Sequence, residues 1–273
     1  MTATVQALAY YPIKGCVVTS VQQAELGETG IRGDRLLMLV DADGGFLSQR
    51  KVPELAVIAP KLDGDRLVVS APGADDAEID LQLDGDRRAV SLFRKWFGIG
   101  IDQGDQAAKW FSAVLDRPCR LVRVPPEHDR DGWGEHPGKA GFADAHAMLV
   151  TSLSSLDGLN ERILEHGGIP VPMNRFRPNL VVAGWPEPHT EDRVWKLTAG
   201  TVELGYSTRA IRCAVPTVEQ ETGRKDGPEP TRTLATYRRE PDLGGGVSFG
   251  AKFAVLRAGT VSVGDEITCE WQN

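Results

Sequence analysis

Apolar residues near the start of the chain fall in short β-branched runs rather than at helical spacing, so residues 1–70 read mainly as strand. Two such runs cover 5–10 and 17–26, and a third covers 36–41. Asp43-Gly44-Gly45 then supplies positive-φ positions for a return through 46–50. At 61–67, Asp63-Gly64 between apolar flanks predicts a tight hairpin, and Asp84-Gly85-Asp86 after 79–83 repeats that signal. Between them, residues 71–78 read as a polar loop.

Helical spacing first appears at 106–115, where Ala107, Trp110, Phe111 and Val114 share a face. Asp105 stands where an N-cap belongs, and Pro118 stops the helix. Residues 120–124 return to strand. The stretch 125–139 is rich in proline, glycine and charge, which divides the chain into two domains, 1–125 and 126–273. The second domain opens with the apolar run 147–150, followed by a helix capped by Ser152 or Ser154. Leu156, Leu159, Ile163 and Leu164 form its apolar stripe, and Gly167-Gly168 ends it. Strands then dominate at 180–183, 197–204 (folded at Ala199-Gly200), 252–257 and 261–268. The pattern predicts an α+β protein: a β-rich first domain packed against a barrel-like second domain with few helices.

Composition narrows the function classes. The 273 residues are 41% hydrophobic and 25% charged, as in an ordinary globular protein. A net charge of −7 argues against a surface for nucleic acid or an anionic membrane, yet leaves room for a local basic pocket. Cys16, Cys119, Cys213 and Cys269 are scattered, with no C-x-x-C pair, which suits neither a zinc ribbon nor an iron–sulfur run and fits a reducing compartment. The N-terminus lacks a basic region followed by an apolar core, and no apolar run is long enough to span a bilayer. The expectation is a cytoplasmic protein with no membrane or nucleic-acid partner.

Several motifs fail on context. Gly246-Val247-Ser248-Phe249-Gly250 matches the serine-hydrolase elbow, but strand follows it and no histidine lies downstream. His128, His136 and His146 with Cys119 fit no ligand spacing. Gly244-Gly245-Gly246 lacks the strand and helix of a dinucleotide loop and reads as a surface loop near the site. The remaining candidates gain weight together. Lys14 follows the stiffened Tyr11-Pro12-Ile13, Arg35 follows Gly33-Asp34, and Arg177 and Asn179 precede an apolar strand. Singly these read as a solvated lysine, a surface ion pair and the polar mouth of a strand. Jointly they offer three cations, an amide and a helix N-terminus at 152–155. Cys213 adds a thiol that the adjacent Arg212 biases towards thiolate. That set suits a phosphorylated, hydrogen-bond-rich heterocycle and a soft metal.

The chain resembles the MOSC family over nearly its whole length, through YPIKGC, GETGIRGDRLLMLVDADGGFLSQRKVPELAVI, FADAHAMLVTSLSSLDGLN, NRFRPNLVVAG, IRCAVPTVEQETG, TLATYRR and FGAKFAVLRAGTVSVGDEIT. The resemblance implies a MOSC N-terminal domain, a MOSC domain and a molybdenum–pterin cofactor between them. By position it makes Cys213 the molybdenum ligand, with Lys14, Arg35 and Arg177 neutralising the cofactor. Ser152 and Asn179 would hydrogen-bond it, and Arg212 and Arg238 would support these contacts. Gly15 replaces a usual serine, leaving its backbone N–H as the donor, and Ile211 replaces a small polar residue. The implied activity, similar to that of amidoxime-reducing components, is reduction of hydroxylamines, hydroxamates or amidoximes. With dispersed cysteines and no dinucleotide fingerprint, electrons would come from a separate ferredoxin or flavoprotein. Two alternatives remain: a sulfurtransferase carrying a Cys213 persulfide, and a non-catalytic cofactor carrier.

Overall fold

The computed structural model describes residues 2–93 and 95–272. The chain opens with β1 (Thr4–Tyr10), β2 (Thr19–Val21), β3 (Gln23–Gly27), β4 (Gly30–Ile31) and β5 (Leu37–Val40). Three short strands follow: β6 (Ala59–Asp63), β7 (Arg66–Ser70) and β8 (Ala77–Asp80). Next come β9 (Arg87–Leu92), β10 (Trp96–Asp102), helix α1 (Gly104–Leu115) and β11 (Arg120–Arg123). The second half begins with β12 (Met148–Ser152), α2 (Leu153–Glu165), β13 (Leu180–Ala183), β14 (Val194–Ala199) and β15 (Val202–Arg212). The two-residue strands β16 (Val218–Glu219) and β17 (Arg224–Lys225) precede α3 (Thr231–Tyr237) and β18 (Arg239–Glu240). The last three strands are β19 (Gly246–Arg257), β20 (Gly259–Ser262) and β21 (Ile267–Trp271).

The predicted α+β class, strand-rich with few helices, is what forms. The main sheet runs β2-β1-β13-β12-β19-β15-β14-β21, with β18 attached to β19. Only β12 and β13 pair in parallel within it, and α2 makes the crossover that such a pair requires. A second sheet has the order β5-β11-β10-β9, and β6-β7-β8 forms a third. Strands of the first 125 residues join the second half: β1 pairs with β13, and β3 pairs with β20. The two parts therefore interlock rather than meet across a linker. One core packs around the main sheet through residues such as Val150, Leu197 and Phe253. Another fills the first half around Leu39, Leu55, Phe111 and Leu121.

Several expectations change. The run 17–26 breaks at Gln22 and feeds two sheets, because β2 pairs with β1 while β3 pairs with β20. Residues 46–50 form no strand: Phe46 makes an isolated bridge to Val40, and the segment then turns towards a cavity. The hairpin at 61–67 forms, with Asp63 opposite Arg66. Asp84-Gly85-Asp86, by contrast, passes between sheets, since β8 pairs with β7 and β9 with β10. Helix α1 begins one residue before Asp105, and the Asp102 carboxylate accepts the Gly104 N–H at 2.8 Å. Ser152 does cap α2, accepting from the Ser155 N–H at 3.2 Å, but Leu164 faces solvent. Strands β9 and β10 and helix α3 carried no pattern that drew notice. Among the described residues, no helix is long and apolar enough to cross a membrane.

Candidate functional site

A cleft with a cavity volume of about 140 Å³ opens where loops of the first half meet the ends of the main sheet. Lys14, Gly15, Arg35, Phe46, Gln49, Arg50 and Phe93 line it from the first half. Asp144, His146, Phe176, Arg177, Asn179, Arg212, Cys213 and Lys252 line it from the second. Cys213 follows the last residue of β15 and is exposed.

Cations concentrate in this cleft although the chain's net charge is −7. Six cations line the cleft, Lys14, Arg35, Arg50, Arg177, Arg212 and Lys252, against one carboxylate, Asp144, among the described residues. Lys14 is only 6% exposed. Its ammonium pairs with Asp144 and lies 5.0 Å from the ring centroid of Phe46. Burial lowers its pKa, and Asp144 opposes that shift. Burial also opposes ionisation of Asp144, yet Lys14 and Lys252 hold its half-exposed carboxyl well below the usual carboxylate range.

Arg35 and Arg177 both adopt left-handed backbone, with φ of 46° and 57°, a conformation that costs a bulky L-residue energy and tends to occur at functional sites. Arg35 donates to Asp34 at 2.5 Å, to the Asn179 side-chain oxygen at 2.9 Å and to the Arg177 carbonyl at 3.3 Å. Arg177 donates to Gln220 at 3.0 Å and has no carboxylate partner among the described residues. Burial pushes its pKa down to about 10, while the Tyr11 hydroxyl opposes the shift. Both guanidinium groups lie 4.2 Å from the centroid of the Tyr11 ring. Gln49 and Gln220 exchange hydrogen bonds of 3.1 and 3.0 Å, and Gln49 also donates to the Gly15 carbonyl at 2.6 Å. Gly15 has φ of +89°, so a serine at this position would be strained in the present backbone.

An anionic group fits this wall. The Arg177 Nη2 and Arg212 Nε are buried without hydrogen-bond partners among the described residues, and such groups are costly to leave unpaired. Among the described residues Arg212 otherwise donates only to the Phe176 carbonyl, at 2.7 Å, and burial lowers its pKa. A soft thiol at the same cleft adds a ligand type suited to a soft metal.

The structure gathers Lys14, Gly15, Arg35, Arg177, Asn179, Arg212 and Cys213, but places Ser152 and Arg238 elsewhere. Ser152 is buried and donates to Glu191 at 3.0 Å. Arg238 pairs with Asp192 and donates to Ser248 at 2.6 Å. Asn179 is largely a strut: it holds Arg35, the Leu149 N–H at 3.1 Å and the Ala9 carbonyl at 3.2 Å. Gly246–Gly250 lies within β19 with Ser248 buried, so it forms no nucleophile elbow. Among the described residues, no three His, Cys, Asp or Glu side chains form a metal cluster; His128 and His136 contact backbone carbonyls instead. Sequence reasoning gave no place in the site to Gln49, Asp144, Gln220 and Lys252, read Tyr11 only as part of a stiffened strand end, and weighed His146 only as a metal ligand. A charge at position 252 within an otherwise apolar strand run was the one available signal.

Fold and cleft together define a strand-rich, two-part protein with a thiol-bearing, cation-lined pocket. Residues 2–118 match the MOSC N-terminal beta barrel domain and residues 137–268 match the MOSC domain; the chain belongs to the MOSC family. It is 32% identical to mitochondrial amidoxime-reducing component 1 of Mus musculus, over 97% of this chain and 81% of that protein. The human protein of the same name is 30% identical over 97% of this chain and 82% of its own length. A molybdenum cofactor sulfurase of Oryza sativa subsp. japonica is 31% identical over 86% of this chain but only 31% of that protein.

Proposed function

We propose that the cleft binds a molybdenum–pterin cofactor, with Cys213 as the metal's protein ligand, and reduces N-oxygenated compounds such as hydroxylamines, hydroxamates and amidoximes. The observation that carries this reading is the concentration of six cations around one carboxylate, beside an exposed cysteine, in an otherwise acidic chain. Names of relatives that refer to amidoxime reduction and to molybdenum cofactor support it.

Arg35, Arg177 and Arg212 would hold the cofactor's phosphate and pterin through charge-assisted hydrogen bonds. Lys14 is steered by Asp144, and the Gln49–Gln220 pair braces Arg177 from behind. Phe46 and Phe93, edge to face at 5.6 Å, flank the Lys14 ammonium, which lies 5.0 and 5.7 Å from their ring centroids. The bound group would supply two-electron oxygen-transfer chemistry. In the net reaction a hydroxylamine loses its N–O bond, gains two electrons from a separate reduced protein and two protons from solvent, and yields an amine and water.

The test is to express the chain in a cofactor-competent host, measure molybdenum and pterin, and assay hydroxylamine reduction with a chemical reductant. Cofactor near one equivalent with turnover supports the reading. A cofactor-free protein whose Cys213 carries sulfane sulfur would favour sulfur transfer, which the exposure of Cys213 also suits. Bound cofactor without turnover would favour a carrier.

A further inference from the structure

Besides the orphaned guanidinium nitrogens of the wall, Lys252 and His146 each present a polar atom without a hydrogen-bond partner among the described residues, and the two are complementary. Lys252 lies within β19, between Leu149 of β12 and Thr208 of β15. Its neighbour Phe253 is fully buried in the main core, so Lys252 projects from the opposite face of the sheet into the cleft. Of the other cations lining the cleft, Lys14 has Asp144, Arg35 has Asp34, Arg177 has Gln220 and Arg212 has the Phe176 carbonyl, while Arg50 lies 4.5 Å from the centroid of the Phe93 ring. Among the described residues, the Lys252 ammonium makes no ion pair and no hydrogen bond, and Asp144 acts on it only through its field.

The second group is His146, which is 5% exposed. Its Nε2 lies 2.6 Å from the Trp133 carbonyl oxygen, which makes Nε2 the N–H donor. The neutral ring therefore carries its lone pair on Nδ1, and that atom is buried without a partner. Burial, then the charge of Lys252, push the imidazole pKa down to about 4, so the ring is neutral at ordinary pH.

We propose that Lys252 and His146 recognise the N–O–H group of the substrate, the ammonium donating to its oxygen and the imidazole Nδ1 accepting its hydroxyl hydrogen. The inference rests on the reading of the cleft as a reductase of N-hydroxylated compounds. An amine, amide or amidine product has lost that oxygen, so the ammonium loses this acceptor and Nδ1 loses the hydroxyl donor. Sites built around buried hydrogen-bonding groups reject ligands that lack the partner far more strongly than apolar pockets do. The pair would therefore separate substrate from product.

The experiment is calorimetric binding of benzhydroxamic acid and benzamide to the purified protein, with molybdenum, pterin and melting temperature measured on the same preparation. Wild type should bind the hydroxamate about tenfold or more tightly than the amide, as loss of a charge-assisted hydrogen bond implies. Lys252→Met and His146→Phe should each erase most of that preference while leaving benzamide affinity and cofactor content unchanged. Lys252→Arg, which keeps the charge, should retain part of the preference and serves if Lys252→Met does not fold. An unchanged preference in folded Lys252→Met or His146→Phe protein overturns the inference. Loss of cofactor from folded Lys252→Met protein also overturns it, because the lysine is then a cofactor anchor. Wild type that shows the preference but holds no molybdenum would defeat the reductase reading and leave the recognition standing.

Discussion

Arg35 and Arg177, 142 positions apart, converge on one aromatic ring: each guanidinium lies 4.2 Å from the centroid of Tyr11. Arg35 is neutralised by the buried Asp34, whereas among the described residues Arg177 has only Gln220 and an unpartnered Nη2. The ring thus holds two like charges close together with only one counter-charge. That arrangement is costly in an empty site and favourable once an anion arrives.

Arg177 is accordingly the residue whose loss should be read in ligand content rather than in folding. Charge-assisted contacts contribute about 1.5–3 kcal/mol, so Arg177→Ala should lower cofactor content about tenfold or more, with a melting temperature near wild type. Metal and pterin analysis against a thermal melt checks this. Unchanged cofactor in a normally folded variant would remove Arg177 from the site.

Thiol reactivity should single out Cys213. Burial pushes the pKa of Cys16 up to about 12 and that of Cys269 to about 11, and raises that of Cys119, while Cys213 is exposed. A thiol reagent applied to cofactor-free native protein near pH 8 should modify one cysteine. Mass mapping should place the label on Cys213, and Cys213→Ala should abolish it. Rapid labelling of Cys16 without unfolding would contradict the burial described for it.

Glu191 gives the fold a pH dependence. Its carboxyl is fully buried, and burial pushes its pKa up to about 7, with Asp192 adding to the rise and the Ser155 and Ser152 hydroxyls opposing it. The native state then binds a proton that the unfolded state has released. Stability from this group is fully present below the unfolded value of 4.5 and is lost as pH rises through about 7. Relative to wild type, Glu191→Gln should therefore gain stability between about pH 5 and pH 8, measured by denaturant titration. Parallel pH profiles for the two proteins would show that Glu191 ionises as freely as in the unfolded chain.

Local signals carried the elements they specify and missed relationships between them. Ser152 at a helix start and Asp63-Gly64 between apolar runs are local, and α2 and the β6–β7 hairpin form there. The break at Gln22 is not local, because β2 and β3 part company only through their partners β1 and β20. Strand β9, with only Val90 and Leu92 as sizeable apolar residues, is too short a signal to stand out alone, and it becomes a strand by pairing with β10. In the site, residues tied to short motifs (Lys14, Arg35, Arg177, Cys213) were legible, and the cleft brings them together. Gln49 and Gln220 were not legible, since an amide pair separated by 171 positions has no sequence signature. Ser152 and Arg238 were legible as polar residues, but Glu191 and Asp192 occupy them, and only the fold reveals that competition.

The central claim is that Cys213 holds the metal of a molybdenum–pterin group in this cleft. X-ray absorption at the molybdenum edge, on protein loaded in a cofactor-competent host, tests it most directly when wild type is compared with Cys213→Ala. The account predicts bound molybdenum in wild type, and in the variant one fewer sulfur ligand and no hydroxylamine reduction, with pterin still retained by the arginines. Identical spectra and equal turnover in the two proteins would contradict it.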